Sequence, residues 1–111
     1  MKVQSSGETA SIEYGVVQLA FDLKGSNAAY LIISTPEDGD PDEFFGSDHY
    51  VEVKDQRYGR YGGLEKLAVL NDSSFAVRLS TEVPEVGQEI TITTAHPMSS
   101  ELIRHLRKLE R

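Results

Sequence analysis

Apolar and polar residues alternate with a period of two along most of this chain, and a helical period takes over only at its end. Between Tyr14 and Leu23, Val17, Leu19, Phe21 and Leu23 fall on one side, with Gln18, Ala20 and Asp22 on the other, which predicts a half-buried strand. Lys24-Gly25-Ser26-Asn27 has turn chemistry, and Ala28 to Ser34 then reads as the second strand of a hairpin. Its nearly continuous apolar run suggests cover on both faces. Thr35 to Asp48 breaks the pattern. Two prolines, two glycines and many carboxylates argue against a central strand or a helix interior, and Phe44-Phe45 is expected to pin this loop to the core.

His49 to Asp55 is the third predicted strand, with Val51 and Val53 on one face and Tyr50, Glu52 and Lys54 on the other. A corner from Gln56 to Gly63 leads into a fourth strand, Leu64 to Leu70. Asn71 to Ser74 turns into a fifth, where Phe75, Val77 and Leu79 alternate with polar or small residues. Pro84, Glu85 and Gly87 mark the turn before a sixth strand carrying Ile90 and Ile92. Short turns between successive strands imply antiparallel neighbours. After Pro97, Leu102, Ile103, Leu106 and Leu109 form one helical stripe, with Ser99 or Ser100 as N-cap. Residues Met1 to Thr9 read as a frayed lead-in. The expected fold is α+β, one domain over residues 1–111: an antiparallel sheet of about six strands with one C-terminal amphipathic helix packed on one face.

Composition sharpens the functional picture in one respect. With 11 Lys and Arg against 18 Asp and Glu, the net charge of −7 disfavours nucleic acid and anionic membranes as partners; it suits a basic protein partner, and the commoner alternative is that it serves only solubility. The chain has no cysteine, which removes disulfides and thiolate zinc sites. No signal-like or membrane-spanning apolar run is present, so the expected location is the cytoplasm.

Three constellations invite chemistry. Asp38, Asp40 and Asp42 have the spacing that opens an EF-hand loop, but Glu43 stands where glycine is needed and His49 where a bidentate glutamate belongs. A solvated acidic loop, able to face a basic surface, is the better reading, and no metal or cofactor is expected. Pro41-Asp42 followed by Glu52-Val53-Lys54 resembles the Pro-Asp…Glu-x-Lys signature of restriction-endonuclease-like nucleases, in which Asp42 and Glu52 hold a metal and Lys54 stabilises charge. The acidic surroundings oppose it. His49, His96 and His105 lack metal-ligand spacing and read as surface histidines. No Gly-x-Ser-x-Gly elbow supports a hydrolase. The corner Arg57-Tyr58-Gly59-Arg60-Tyr61-Gly62-Gly63 combines flexible backbone with residue types common at binding hot spots. A bulged hairpin corner with its tyrosines folded back is the equal alternative.

The run Tyr50-Val51-Glu52-Val53-Lys54-Asp55-Gln56, then Tyr58 and Tyr61-Gly62-Gly63, together with Tyr30-Leu31-Ile32-Ile33 upstream, resembles the bacterial immunity proteins of polymorphic toxin systems, family ten among them. The likeness extends from Tyr30 to Leu79. It implies a non-enzymatic inhibitor that binds a cognate toxin, with Glu52, Asp55, Gln56, Tyr61, Gly62 and Gly63 as characteristic positions. The expected toxin-binding set is Asp38, Asp40, Asp42, Glu43, Glu52, Asp55, Gln56, Tyr58 and Tyr61, and Gly59, Gly62 and Gly63 shape the corner. A homodimer is a further possibility, as is a metal-dependent nuclease or a generic protein-interaction domain.

Overall fold

The computed structural model describes residues 1–111. Nine strands and two helices follow in the order β1 (Lys2–Ser5), β2 (Gly7–Glu13), β3 (Val16–Leu23), β4 (Ala29–Pro36), α1 (Pro41–Phe45), β5 (Tyr50–Val53), β6 (Arg60–Tyr61), β7 (Leu64–Asn71), β8 (Ser74–Val83), β9 (Gly87–Thr94) and α2 (Ser100–Lys108). A short 3-10 turn, Gln56–Tyr58, lies between β5 and β6.

The strands form two sheets and not one. The first runs β1-β9-β8-β7 and the second β2-β3-β4-β5-β6. All pairings are antiparallel except β1 with β9, which is parallel. The alternating residues of both sheets point at each other, so Val17, Leu19, Phe21, Leu31, Ile33, Val51 and Val53 share one cluster of 22 buried residues with Leu67, Phe75, Val77, Ile90 and Ile92. The rings of Phe21 and Phe75 meet across the two sheets at 4.8 Å, tilted by 50°. Period two had marked which side of each strand is buried; the partner of that side turns out to be a second sheet.

The N-terminal segment is the clearest departure from expectation. Residues 2–5 and 7–13 are strands, with Val3 half-buried and Ser5 buried. One valine among Lys2, Gln4 and Ser5 is too weak a period to see in sequence. The Met1 amino group nonetheless donates to Glu89 C=O at 2.7 Å, and Met1 C=O accepts from Thr91 N–H, so pairing with β9 holds the segment.

The helix α2 does not lie on the middle of a sheet face. It packs beside the edge strand β7, with a smaller contact to β2, and inserts Leu102, Leu106 and Leu109 into the shared core. Ser99 is the N-cap, its Oγ accepting from Leu102 N–H at 3.1 Å. Glu101 in the first turn and Arg107 and Lys108 in the last complement the helix dipole. Ser99→Ala should therefore cost about 1 kcal/mol of stability, read as a shift in the denaturant midpoint. Ser100→Ala, which removes no cap, should be close to neutral. Equal losses at the two positions would contradict this assignment.

His105 belongs to the buried face because it stands three residues after Leu102 and four before Leu109. Its expected surface position is thus corrected, and so is that of His49, which is 8% exposed. His96 is exposed, as its place in a connection suggested.

Candidate functional site

The acidic segment contains a helix that its composition seemed to forbid. Asp40 caps it, accepting from Asp42 N–H at 2.9 Å, Pro41 occupies the first turn where no N–H is needed, and Gly46 ends it at φ 71°. Five residues suffice because both ends are capped. The carboxylates of Asp38, Asp40, Asp42 and Glu43 are all exposed, so they project into solvent as a group.

Phe44 and Phe45 pin this segment, but to the outer surface of the second sheet and not to the core. Phe45 packs on Tyr61 with ring centroids 5.5 Å apart, Tyr61 meets Tyr50 at 5.1 Å, and Phe44 meets Phe45 edge-on at 5.3 Å. Phe44 also rests over Gly15, where a Cβ would sit 3.3 Å from its ring. Phe44 remains 50% and Tyr61 54% exposed, so the four rings form one open aromatic run.

Glu52 closes the far end of that run. Tyr50 Oη donates to its Oε1 at 2.7 Å and Tyr30 Oη to its Oε2 at 2.5 Å. Burial and these bonds push the Tyr50 hydroxyl up to about 12, and Tyr30 further in the same direction, so both remain proton donors to the carboxylate. Gly59 is part of this network, since a side chain there would collide with the Tyr50 hydroxyl. A Cβ on Gly63 would run into Val51, and Gly62 adopts φ 76°. Each glycine of the corner thus has its own structural reason.

Tyr58 and Tyr61 do not share a surface. Tyr61 is opposite Tyr50 on the outer face, whereas Arg60 is opposite Val51. Tyr58 packs against the core with the guanidinium of Arg57 5.5 Å from its ring centre. The outer tyrosine beside Tyr61 is Tyr50, a residue that strand alternation already placed beside Glu52 in sequence. Asp55 caps the 3-10 turn by accepting from Arg57 N–H at 3.1 Å; this bond above all lowers its carboxyl pKa. Asp55 and Gln56 border a shallow depression with Tyr30, Ile32 and Glu52, adjoining the aromatic run.

Glu52 and Lys54 of the nuclease-like pattern both line that depression, but their charged groups bond elsewhere. The strand β5 ends at Val53, and Lys54 takes φ 72°, which turns its side chain toward the first sheet. Its Nζ donates to Pro84 C=O at 3.0 Å and lies 3.7 Å from Glu85, while Glu52 is held by two tyrosines. No group of three His, Cys, Asp or Glu side chains is placed to hold a metal ion.

A groove of about 1100 Å³ separates the acidic segment from the end of α2. Its lining includes Glu37, Asp38, Asp40 and Asp42 of the acidic segment, Lys108 and Arg111 at the end of the chain, and His49 and His105. Arg111 grips Asp48 with two hydrogen bonds of 2.8 and 2.9 Å, which ties the segment to the C-terminal residue. His49 Nδ1 and His105 Nε2 are buried without hydrogen-bond partners.

His49 and Asp48 set an acid response. Burial, and then the nearby Arg111 charge, hold the His49 imidazole below its ordinary 6.5. The hydrogen bond from Arg111 lowers Asp48 from 3.8 to about 2. Both folded values lie below the unfolded ones, so the unfolded chain binds protons first and stability declines with falling pH. The His49 contribution is intact above 6.5 and wanes below it, and that of Asp48 is lost between 3.8 and about 2. Unfolding midpoints measured against pH should fall in those two stages. Asp48→Asn should remove the lower stage and cost about 1 kcal/mol at neutral pH, allowing for the partial exposure of the pair. A profile flat from about pH 7 to 5 would count against a neutral buried His49.

No helix is long and apolar enough to cross a membrane. No family model, curated protein or solved structure matches the chain.

Proposed function

We propose that this protein is a non-enzymatic inhibitor, an immunity protein that binds and neutralises a cognate bacterial toxin with a basic surface. The carrying observation is the open run Phe44, Phe45, Tyr61 and Tyr50, whose first two rings belong to α1, the helix that carries Asp42 and Glu43 and is capped by Asp40, and whose Tyr50 end holds Glu52. Rigid aromatic rings offer large contact area at small entropic cost, and carboxylates around them attract and orient a cationic partner. The resemblance of the segment from Tyr30 to Leu79 to immunity proteins supplies the identity of that partner. Inhibition then follows from covering the toxin's basic cleft, with the acidic loop taking the place of anionic substrate groups.

The test starts from the neighbouring gene, which this reading expects to encode a toxin. Mixed with the purified inhibitor, that toxin should form a complex and lose its activity, and co-expression should restore growth. Association should slow as salt rises, because the steering charges are solvent-exposed and screened within about 8 Å at physiological ionic strength. A salt-independent association rate would refute the steering role of the acidic loop. Full toxin activity in the presence of excess inhibitor would refute the function itself.

A further inference from the structure

The second sheet ends in an open strand. β2 is seven residues long, and all of it except Glu8 is exposed. The other edges are short or covered: β1 and β6 have four and two residues, and β7 is occupied by the C-terminal tail. There Glu110 accepts from Val69 N–H at 2.9 Å, Arg111 N–H donates to Leu67 C=O and the Arg111 guanidinium donates to Leu64 C=O. An uncovered edge is a template for a further strand.

The hydrogen-bond phase of the sheet fixes what β2 presents. Glu37 N–H donates to Gly15 C=O at 2.8 Å, so in the β3–β4 ladder Val17, Leu19 and Phe21 are bonded to Thr35, Ile33 and Leu31. The alternate residues of β3, Val16, Gln18 and Ala20, must then bond to β2 through Glu13, Ser11 and Thr9; at the strand's start Asp22 C=O accepts from Ser6 N–H, and Gly7 N–H donates to Ser5 Oγ. Glu8, Ala10 and Ile12 are left with N–H and C=O turned outward. Their side chains share the inner face with Phe21, Leu19 and Val17, yet Ala10 is exposed and Ile12 is 48% exposed.

We propose that this edge pairs with β2 of a second copy of the chain, antiparallel about a two-fold axis through Ala10. In that register Ala10 meets Ala10 of the other copy, and Glu8 meets Ile12, so each residue with outward groups finds another with outward groups. All three N–H and all three C=O groups of each edge are satisfied together. A shift by one residue would set outward groups against inward ones. No carboxylates are opposed: Glu8 lies across from Ile12, covering its apolar side chain, and Glu13 lies across from Gly7. The product is a continuous sheet of ten strands. Tyr50 and Tyr61 of the aromatic run lie on β5 and β6, toward the edge opposite β2, while Phe44 reaches back to the β2–β3 turn at Gly15. The pairing is centred on Ala10 and uses none of the four rings, so it is argued separately from the toxin-binding reading.

Each copy carries a charge of −7, so self-association works against repulsion and should strengthen as salt rises. That is the opposite sign from the expected toxin association. Sedimentation over a range of concentrations should show a monomer–dimer equilibrium shifted toward dimer at high salt. Ala10→Pro removes an outward N–H without touching the β3 ladder and should weaken dimerisation about tenfold or more, with circular dichroism and melting temperature near wild type. Ala10→Cys places the chain's sole thiol beside its symmetry mate, at the roughly 5.5 Å Cα separation of a hydrogen-bonded pair, and mild oxidation should yield a disulfide dimer. A monomer at every concentration and salt, a folded Ala10→Pro that dimerises like wild type, or an Ala10→Cys that does not cross-link would each overturn the proposal.

Discussion

Phe75→Ala is expected to lower the free energy of unfolding by about 4 kcal/mol. Phe75 is completely buried and its ring meets Phe21 from the opposite sheet at 4.8 Å. Truncation removes the apolar area of a whole ring and leaves a void between two layers that cannot simply collapse, since backbone ladders on both sides hold their spacing. A loss of that size is a large part of the roughly 5–15 kcal/mol that stabilises an ordinary domain. Denaturant unfolding should show a lower midpoint with little change in slope. The experiment also tests the architecture. In a double-mutant cycle with Phe21→Ala, two rings in contact across sheets should show coupling of about 0.5–1.5 kcal/mol beyond their separate losses. Additive effects would mean that β3 and β8 do not face each other.

Tyr61→Ala should weaken toxin binding by about 2 kcal/mol, close to thirtyfold, while hardly altering stability. The ring is 54% exposed, so little core is lost with it, but it is the middle member of the run that joins Phe45 to Tyr50. Removing it separates the acidic helix from the Tyr50–Glu52 pair and leaves a gap at the centre of the proposed contact. Tyr58→Ala should show the reverse: lower stability, because that ring packs on the core, and a small effect on affinity. Isothermal titration of both variants against the toxin, paired with thermal melts, separates the two roles. Equal affinity losses at the two tyrosines would contradict the assignment of the outer face as the contact.

Much of the secondary structure was legible in the chain. Strict alternation located β3, β5, β8 and β9, because each has one face in the core; β4 was read from a nearly continuous apolar run as covered on both faces, but its outer residues Tyr30 and Ile32 are only half-buried. Alternation was weaker in β7, where bulges near Leu64 and Asn71 shift the side chains out of phase. The stripe of α2 and its Ser99 cap were also readable, since both depend on residues within one or two turns of each other. Of the candidate contact surface, the exposed carboxylates and Tyr61 were legible from composition and residue type. The other members were not. Phe44 and Phe45 look like core residues in a list, and Tyr50 acquires its meaning only from ring contacts with residues eleven positions away.

Sequence by itself determined which side of β3, β5, β8 and β9 avoids water, where the turns between them fall, where α2 begins and the sign of the net charge. These follow from local stereochemistry and from the cost of leaving apolar groups hydrated. Tertiary structure alone decided that the strands divide into two sheets, that β1 joins β9 in parallel, and that His49 and His105 are enclosed. It also decided that Tyr58 and Tyr61 face opposite ways. A period of two declares that a face must be buried without saying against what, and a left-handed residue such as Lys54 redirects a side chain that strand alternation alone would leave beside Glu52. The choice among partners rests on long-range packing, and that exists only when all the layers are assembled.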